Sequence, residues 1–471
     1  MTFISYAFLH ASRKAFGNLK PSLISIWISY ESNNSLKPAP SIQWDRGSLF
    51  ENSAQANTFV GLLDSVFMAS YAFGLYVSGW IGDRLDPRLV LSSGMLLTSL
   101  TVFLFGVFTE WIHLYSKPFY VIIWIFNGLF QSTCWPSAVA IVCNWFGESR
   151  GVIFGLWTAC ASAGNIFGDL LVGSIVPYGY DYAFAVHSAL LISNALIVYS
   201  GLIVHPKELK NVDTSAYTPI ASEEYEEEID VDNISDTDLS HTLAAFSRTN
   251  EDRVLSFRQV LLLPGVIPYS FAYACLKMVN YAFFFWLPLY LDSNFHLSPS
   301  MASEFSAFYD LGAIIGGLVA GFLSDLPFLF LSRSCVNIGF LLFSVPALIA
   351  YSTIPASPLS LNAFVLFLTG FFTGGPATVI STVIGADVGT RPELCGSKAL
   401  ATVTGIIDGT GSVGASVGQL LVPVLKNAYG WSSVFHFFIA SILVAIIMIL
   451  PIYVKELINN RVRIRSRLET T

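Results

Sequence analysis

The chain has 471 residues, of which 54% are hydrophobic and 12% are charged, and its mean hydropathy is +0.62. Soluble domains carry about 25% charged residues, so this composition excludes an ordinary soluble protein and indicates one that lies in a lipid bilayer. The formal net charge of −8 comes from an acidic stretch between Glu208 and Asp252, and the rest of the chain does not indicate nucleic-acid binding.

No sequence pattern indicates a metal site, a cofactor or an enzyme. The six cysteines lack metal-site spacing, so buried free thiols are the simplest interpretation. The sequence has no P-loop, which excludes a pump driven directly by ATP. The motifs "YD" at Tyr309 and "DGTG" at Asp408 are similar to those of intramembrane aspartyl proteases, but the second differs from the pattern of such enzymes. We therefore expect a protein that is not an enzyme and needs neither metal nor cofactor.

Twelve apolar stretches are each long enough to cross roughly 30 Å of hydrocarbon, which takes about 20 helical residues. They predict an all-α membrane protein with twelve transmembrane helices in two six-helix halves. The stretches are approximately 2–26, 58–82, 88–110, 119–144, 151–174, 183–205, 264–291, 301–325, 329–352, 360–386, 397–424 and 431–454.

An acidic segment, 206–258, separates the sixth stretch from the seventh, and its low apolar content predicts disorder. It divides the N-terminal half, 1–205, from the C-terminal half, 259–455, which a basic tail, 456–471, follows. If both termini face the cytosol, the cytosolic loops and tail hold sixteen Lys and Arg residues and the opposite loops hold four. This bias agrees with the positive-inside rule and predicts cytosolic termini.

The first stretch places cations where a membrane helix is normally apolar. Arg13 and Lys14 lie roughly 18 Å along the helix from the first residue, near the bilayer midplane, and Lys20 comes close to the far interface. Tyr6, His10, Arg13 and Lys14 share one helix face. A guanidinium, an ammonium and a phenol on one face suit a phosphate group. The alternative is that the cations extend to an interface because the span is short.

The seventh stretch carries one further cation, Lys277, among apolar residues, with Asn280 and Tyr281 on the same helix face. Lys277 occupies roughly the place in the second half that Arg13 and Lys14 occupy in the first. Two cationic patches that face a shared cavity predict an anion site between the halves. The alternative is a structural lysine that pairs with a buried acid, such as Asp310 or Asp408.

Two sequence repeats occur in the same order in both halves. "FGLYVSGWIGD" (73–83) matches "IGGLVAGFLSD" (315–325), and "SAGNIFGDLL" (162–171) matches "SVGASVGQLL" (412–421). Repeated six-helix halves are typical of transporters that bind their substrate between the halves, near the bilayer midplane.

Two loop motifs carry further predictions. "GWIGDRLDPR" contains Gly79, Asp83, Arg84 and Arg88, whose charges can bridge neighbouring helix ends in one conformation and separate in another. The alternative is an ordinary charged turn. Asn33 begins the sequon "NNS" in a loop predicted to lie outside the cytosol, so we expect it to be glycosylated.

Several of these segments together resemble one family. "HASRKAF", "GDRLDPR", "STCWPSAVAIVCNWFGESRG" and "YACLKMVNYAFFFWLPLYL" resemble the organophosphate:phosphate antiporters of the major facilitator superfamily. The resemblance covers nearly the whole chain except the acidic segment. It implies the major facilitator fold, alternating access, a basic site at the midplane, and exchange of a sugar phosphate for inorganic phosphate.

The resemblance also assigns residues and reveals two departures. The family's first-span arginine corresponds to Arg13, and its seventh-span basic residue corresponds to Lys277. Cys160 and Ala161 stand where phosphate-exchanging relatives often carry a histidine, so glucose 6-phosphate is not the substrate we expect. The chain also begins close to "SRK", without most of the family's leader, which predicts a shortened first span.

We expect a secondary transporter of a small, phosphorylated organic anion in an endomembrane, either the endoplasmic reticulum or the lysosome. The alternative is a transporter-like scaffold or sensor with little transport activity. Cations without partners at the midplane favour the carrier, because a scaffold has no need of them. An accessory membrane subunit is left open.

Overall fold

A computed structural model describes most of the chain, and within the described residues the regular secondary structure is helical apart from one isolated bridge between Ile28 and Phe50. The description covers residues 1–28, 49–82, 85–145, 150–204, 206–209, 257–325, 332–384 and 400–469. Asn33, Asp83, Arg84 and residues 210–256 of the acidic segment lie outside it, so the predictions made for them stay predictions.

The first half contains seven long helical segments. Its fourth predicted span consists of two consecutive helices that are separated at Thr133. The helices are α1 (Thr2–Trp27), α2 (Ser53–Gly82), α3 (Pro87–Trp111), α4 (Lys117–Ser132), α5 (Cys134–Trp145), α6 (Arg150–Ile175) and α7 (Tyr180–Gly201).

The second half begins with a short helix, Phe257–Leu261, and continues with six long ones. A π-helical stretch, Val379–Ile384, follows the fourth of them directly. The long helices are α8 (Val266–Phe295), α9 (Pro299–Asp325), α10 (Arg333–Thr353), α11 (Leu359–Thr378), α12 (Leu400–Tyr429) and α13 (Trp431–Glu469). The last helix continues through most of the predicted basic tail.

Each predicted span overlaps one of these helices, or the α4–α5 pair, and local sequence accounts for several of their ends. Asp86 caps α3, because its side chain accepts a hydrogen bond from the Arg88 amide at 2.8 Å and Pro87 occupies the first turn. Ser332 caps α10 through the Cys335 amide at 3.3 Å.

Nine helices within the described residues are long and apolar enough to cross a membrane. The helix α1 is not among them, and it carries His10, Arg13, Lys14 and Lys20 within its 26 residues. The helices α4, α5 and α12 are not among them either. The all-α membrane fold is therefore confirmed, while the count of twelve spans stays a prediction.

The sequence repeats correspond to equivalent helix contacts. Gly164 of α6 lies against the backbone of Ala7 in α1, and Gly414 of α12 lies against the backbone of Ala274 in α8. One turn further on, Gly168 meets Ala11 and Gly418 meets Met278. In both contacts the residues of α1 and α8 are 267 positions apart. Small residues allow this close approach, which is typical of membrane helices.

The halves touch along α2 with α12, α6 with α9, and α1 with α8. Ser65 and Ser416 share a hydrogen bond of 3.0 Å, and the Asn427 amide donates to the Ala54 carbonyl at 3.1 Å. Ser300 donates to the Gly173 carbonyl. The last two contacts lie near the same end of the bundle as the C-terminal ends of α1 and α8, so the halves are in contact at this end.

Candidate functional site

A cluster of polar and charged side chains lies where α1 meets α4, α6, α8 and α9. The face of α1 predicted from the sequence turns into this cluster, because Tyr6, His10, Arg13 and Lys14 are all at most 6% exposed. The cations therefore do not extend to an interface within the described structure. Arg13 and Lys14 nevertheless have different surroundings.

Arg13 is held by uncharged groups from both halves. Its Nε donates to Gln131 Oε1 of α4 at 3.0 Å, and Nη1 donates to the Tyr281 hydroxyl of α8 at 3.2 Å. The guanidinium carbon lies 4.5 Å from the ring centroid of Tyr71 and 5.3 Å from that of Phe67. No carboxylate forms an ion pair with Arg13 within the described part of the chain. A guanidinium has five N–H donors, so donors remain for an anion.

Lys14 lies between two carboxylates. Its ammonium is 3.4 Å from Asp310 Oδ2 of α9 and 3.8 Å from Asp169 Oδ1 of α6. Asn18 donates to the same Asp169 oxygen at 2.8 Å. The contact with Asp310 joins the two halves, whereas the contact with Asp169 stays within the first. Lys14 is therefore neutralised in the absence of any ligand.

His10 and Tyr6 continue the cluster along α1. His10 Nδ1 donates to Asn165 Oδ1 at 3.0 Å, and the Asn165 amide donates to Asp310 Oδ1 at 2.7 Å. Tyr6 packs its ring on His10 at 4.9 Å and on Trp135 at 4.8 Å between centroids. A hydrogen-bonded row thus links α1 through α6 to α9.

Lys277 is paired with an acid of its own half. Its ammonium donates to Asp408 Oδ1 at 2.7 Å and to the Ser412 hydroxyl at 2.9 Å. Asp408 is one of the two partners that the structural alternative for Lys277 named. The same ammonium lies 5.4 Å from the ring centroid of Tyr281, beside the bond between Arg13 and Tyr281. Lys277 thus joins the cluster as part of an ion pair.

The internal repeat refines the position of Lys277. With the offset of 267 residues defined by the glycine contacts, Lys277 corresponds to His10, and Asn280 and Tyr281 correspond to Arg13 and Lys14. The two basic patches are therefore displaced by about one helical turn instead of lying at equivalent depths.

Asn280 contributes to a smaller polar group within the second half. Its side-chain oxygen accepts a hydrogen bond from the Tyr309 hydroxyl at 2.7 Å, and its amide donates to the Thr373 carbonyl at 3.4 Å. The Tyr309 hydroxyl also lies 2.9 Å from the Thr373 hydroxyl. Hydroxyl and amide groups of this kind suit the polar part of an organic anion.

Several residues of the cluster were not predicted from the sequence. Gln131 and Asn165 are buried polar residues within apolar stretches, and that mismatch was the available signal. Lys20 was predicted near an interface, but it is fully buried in an ion pair with Asp64 and lies 4.0 Å from the Trp286 ring. The depth predicted for Lys20 stays a prediction, and the structure adds that an acid of α2 neutralises it within the bundle.

The predicted loop motif is described only in part. Gly79 lies in the last turn of α2, and Arg88 lies in the first turn of α3. The Arg88 guanidinium is 3.1 Å from Glu208 and 3.7 Å from Asp86. These contacts agree with charges that bridge helix ends, but they are solvent-exposed.

Comparison with known proteins adds family evidence to this geometry. The sequence profile of the Major Facilitator Superfamily matches residues 2–392 and 269–467. "Sugar phosphate exchanger 3" of Xenopus laevis is 46% identical, over 100% of this chain and 94% of its own. "Putative glycerol-3-phosphate transporter 5" of Arabidopsis thaliana is 36% identical, over 94% of this chain and 88% of its own.

A solved structure matches the fold at low sequence identity. The crystal structure of a D-xylose-proton symporter superposes with a TM-score of 0.61 at 13% identity, over 95% of each chain. At this identity the likeness extends to the fold and not to the substrate.

Proposed function

The chain belongs to the Major Facilitator Superfamily, and on that premise we propose that it is an alternating-access carrier of a phosphate-bearing organic anion. Relatives of 36–46% identity are named for sugar phosphate exchange and glycerol-3-phosphate transport, which supports a phosphorylated substrate. Inorganic phosphate is the exchange partner we propose. Glucose 6-phosphate remains outside the proposal, because Cys160 and Ala161 occupy the place of the expected histidine.

The observation that carries the proposal is the environment of Arg13. It is buried at 3% exposure, contacts both halves, and pairs with no carboxylate within the described residues. A buried guanidinium without a carboxylate in direct contact is costly, and a phosphate group offsets that cost through a bidentate contact. A scaffold or sensor without transport activity does not require such a residue.

The remaining predicted residues complete the proposed site. His10 and Tyr6 shape the first-half wall, Lys14 sets the charge beside Arg13, and Lys277 approaches from the second half. Asn280 and Tyr281 offer polar groups to the organic part of the substrate. Lys14 and Lys277 act as members of ion pairs, so we assign the principal phosphate contact to Arg13 alone.

The experiment is counterflow in proteoliposomes with glycerol 3-phosphate, glucose 6-phosphate and inorganic phosphate as probes. We expect exchange of at least one organophosphate for phosphate, and its loss in Arg13→Ala. Arg258→Ala is the matched control, because Arg258 is exposed on the short helix outside the cluster. Exchange that persists at the wild-type level in Arg13→Ala places the site elsewhere.

We also propose that the protein lies in the endoplasmic reticulum or the lysosome with both termini in the cytosol. The bias in basic residues supports this orientation. Glycosidase treatment then changes the mobility of the wild type but not of Asn33→Gln. A mobility change that persists in Asn33→Gln and disappears in Asn233→Gln reverses the orientation.

A further inference from the structure

The buried charges of the transmembrane bundle balance one another before any ligand binds. Within the described residues, four cations and four aspartates are buried or at most 17% exposed in the side chain, and most of them form pairs. They are Arg13, Lys14, Lys20 and Lys277, and Asp64, Asp169, Asp310 and Asp408. Because a phosphate monoester is a dianion above its second pKa of about 6, its entry adds negative charge to a neutral interior.

The ion pairs are one-to-one except at Lys14. Within the described residues, Lys20 pairs with Asp64 alone, and Lys277 pairs with Asp408 alone. Lys14 faces two carboxylates, Asp310 at 3.4 Å and Asp169 at 3.8 Å. With both carboxylates ionised, this group carries one excess negative charge, and the positive charge of Arg13 brings the sum of these eight charges to zero until an anion binds to Arg13.

Of these two carboxylates, Asp169 accepts fewer hydrogen bonds from the described residues. It is fully buried, and its Oδ2 atom has no hydrogen-bond partner among the residues that the structure describes. Asp310, in contrast, receives hydrogen bonds from Asn165 and Lys14 on its two oxygens. A buried carboxylate oxygen without a donor is unfavourable as an anion, and a proton on it removes the charge.

We propose that the cluster of Lys14, Asp169 and Asp310 binds one proton when a phosphate-bearing anion binds to Arg13. The inference rests on the proposed function and names an ion that offsets one of the two negative charges of the substrate. The proton is released by a protonated buffer molecule or hydronium ion in the aqueous phase, which breaks its own N–H or O–H bond. It forms an O–H bond on a carboxyl oxygen of this cluster, most directly Asp169 Oδ2, and returns to the solution when the anion leaves. Bound substrate and bound proton thus cross together, in either direction of exchange.

The other titratable groups that face the cluster already have partners. His10 and Arg13 on α1 bond Asn165, Gln131 and Tyr281. Tyr309 on α9 bonds Asn280. On α8, the ammonium of Lys277 bonds Asp408. His10 is the competing proton acceptor, so its variant belongs in the test.

The test is isothermal titration of the purified full-length protein with glycerol 3-phosphate at pH 8, in buffers of different ionisation enthalpy. The dependence of the binding heat on the buffer gives the number of protons taken up per ligand bound. We expect about one proton for the wild type, and an apparent Kd that rises about tenfold per pH unit in this range. Asp169→Asn keeps the oxygen that accepts from Asn18, and we expect nearly no proton uptake.

Asp64→Asn is the matched control, because Asp64 is another fully buried aspartate with an unpartnered oxygen, but it has a lysine of its own. We expect its proton count to equal that of the wild type. The number of protons is measured per ligand bound. A partly unfolded sample therefore lowers the number of binding sites without changing the number of protons per ligand. Asp310→Asn provides a second variant if Asp169→Asn fails to fold.

Three results overturn the inference. The wild type binds without proton uptake, or both aspartate variants keep the full uptake, or His10→Gln alone abolishes it. None of these three results contradicts the proposed anion site at Arg13. If neither glycerol 3-phosphate nor inorganic phosphate binds to the wild type, the proposed function fails as well.

Discussion

The first helices of the two halves, α1 and α8, pack on α6 and α12 through equivalent glycine contacts but carry different charges. The repeat places Lys277 opposite His10 and the neutral Asn280 opposite Arg13. Lys277 forms a one-to-one pair with Asp408, while Arg13 has no carboxylate partner in the described structure. The two halves therefore share one packing arrangement, and they differ in whether the cation near the proposed site has a carboxylate in direct contact.

The largest expected effect concerns the ion pair of α8. Lys277→Met leaves Asp408 without its counter-ion, and removal of one member of a buried pair costs about 3–5 kcal/mol of folding free energy. Lys277→Met/Asp408→Asn removes both charges, so we expect its thermal midpoint in detergent to return most of the way to the wild-type value. A double variant that is as unstable as Lys277→Met contradicts a mainly structural pairing.

The second prediction exchanges the unequal positions of the repeat. Arg13→Asn loses a charge-assisted contact worth about 1.5–3 kcal/mol, so we expect affinity for glycerol 3-phosphate to fall by about 10- to 150-fold. Adding Asn280→Arg restores the number of cations but not the contacts with Gln131 and Tyr281. We therefore expect the double variant to stay weak in titration calorimetry. Recovery of wild-type affinity means that total charge, and not position, decides binding.

The third prediction tests the glycine contacts that are equivalent in the two halves. A Cβ at Gly164 overlaps the Ala7 carbonyl oxygen, and one at Gly414 overlaps that of Ala274. Overpacking of this kind costs about 1–3 kcal/mol, so Gly164→Ala and Gly414→Ala both lower the thermal midpoint. Gly321→Ala and Gly405→Ala are the controls, because no described atom outside the neighbouring turns of the same helix lies within 4 Å of their added Cβ. If only one of Gly164→Ala and Gly414→Ala lowers the thermal midpoint, the helix contacts of the two halves are not equivalent.

The smallest expected effect is that of Arg88→Ala, in the charged turn of the first half. The side chains of Arg88 and Glu208 are 29% and 37% exposed, so Arg88→Ala changes folding free energy by less than about 1 kcal/mol. We expect unchanged affinity in titration, and a lower exchange rate in proteoliposomes if the motif bridges helix ends in one conformation. Equal exchange rates favour the ordinary charged turn.

The helices and the charged face of α1 could be predicted from the sequence, because both depend on local spacing. The partners could not, because they come from distant segments: Gln131 is 118 residues from Arg13, and Tyr281 is 268 residues away. The choice between Asp310 and Asp408 for Lys277 depends on helix packing that no local pattern contains. The partner of Lys20 was likewise not predictable, because Asp64 lies 44 residues away.

The backbone contact of Gly164 and Gly168 with Ala7 and Ala11 has a mechanical consequence. At these points the backbone of α6 lies directly against the backbone of α1, and we expect the two helices to move as one rigid unit. Spin labels on α1 and α6 then keep one narrow distance distribution throughout the transport cycle. Labels on α6 and α9, which meet across the halves, divide into two populations whose ratio reports which way the carrier faces.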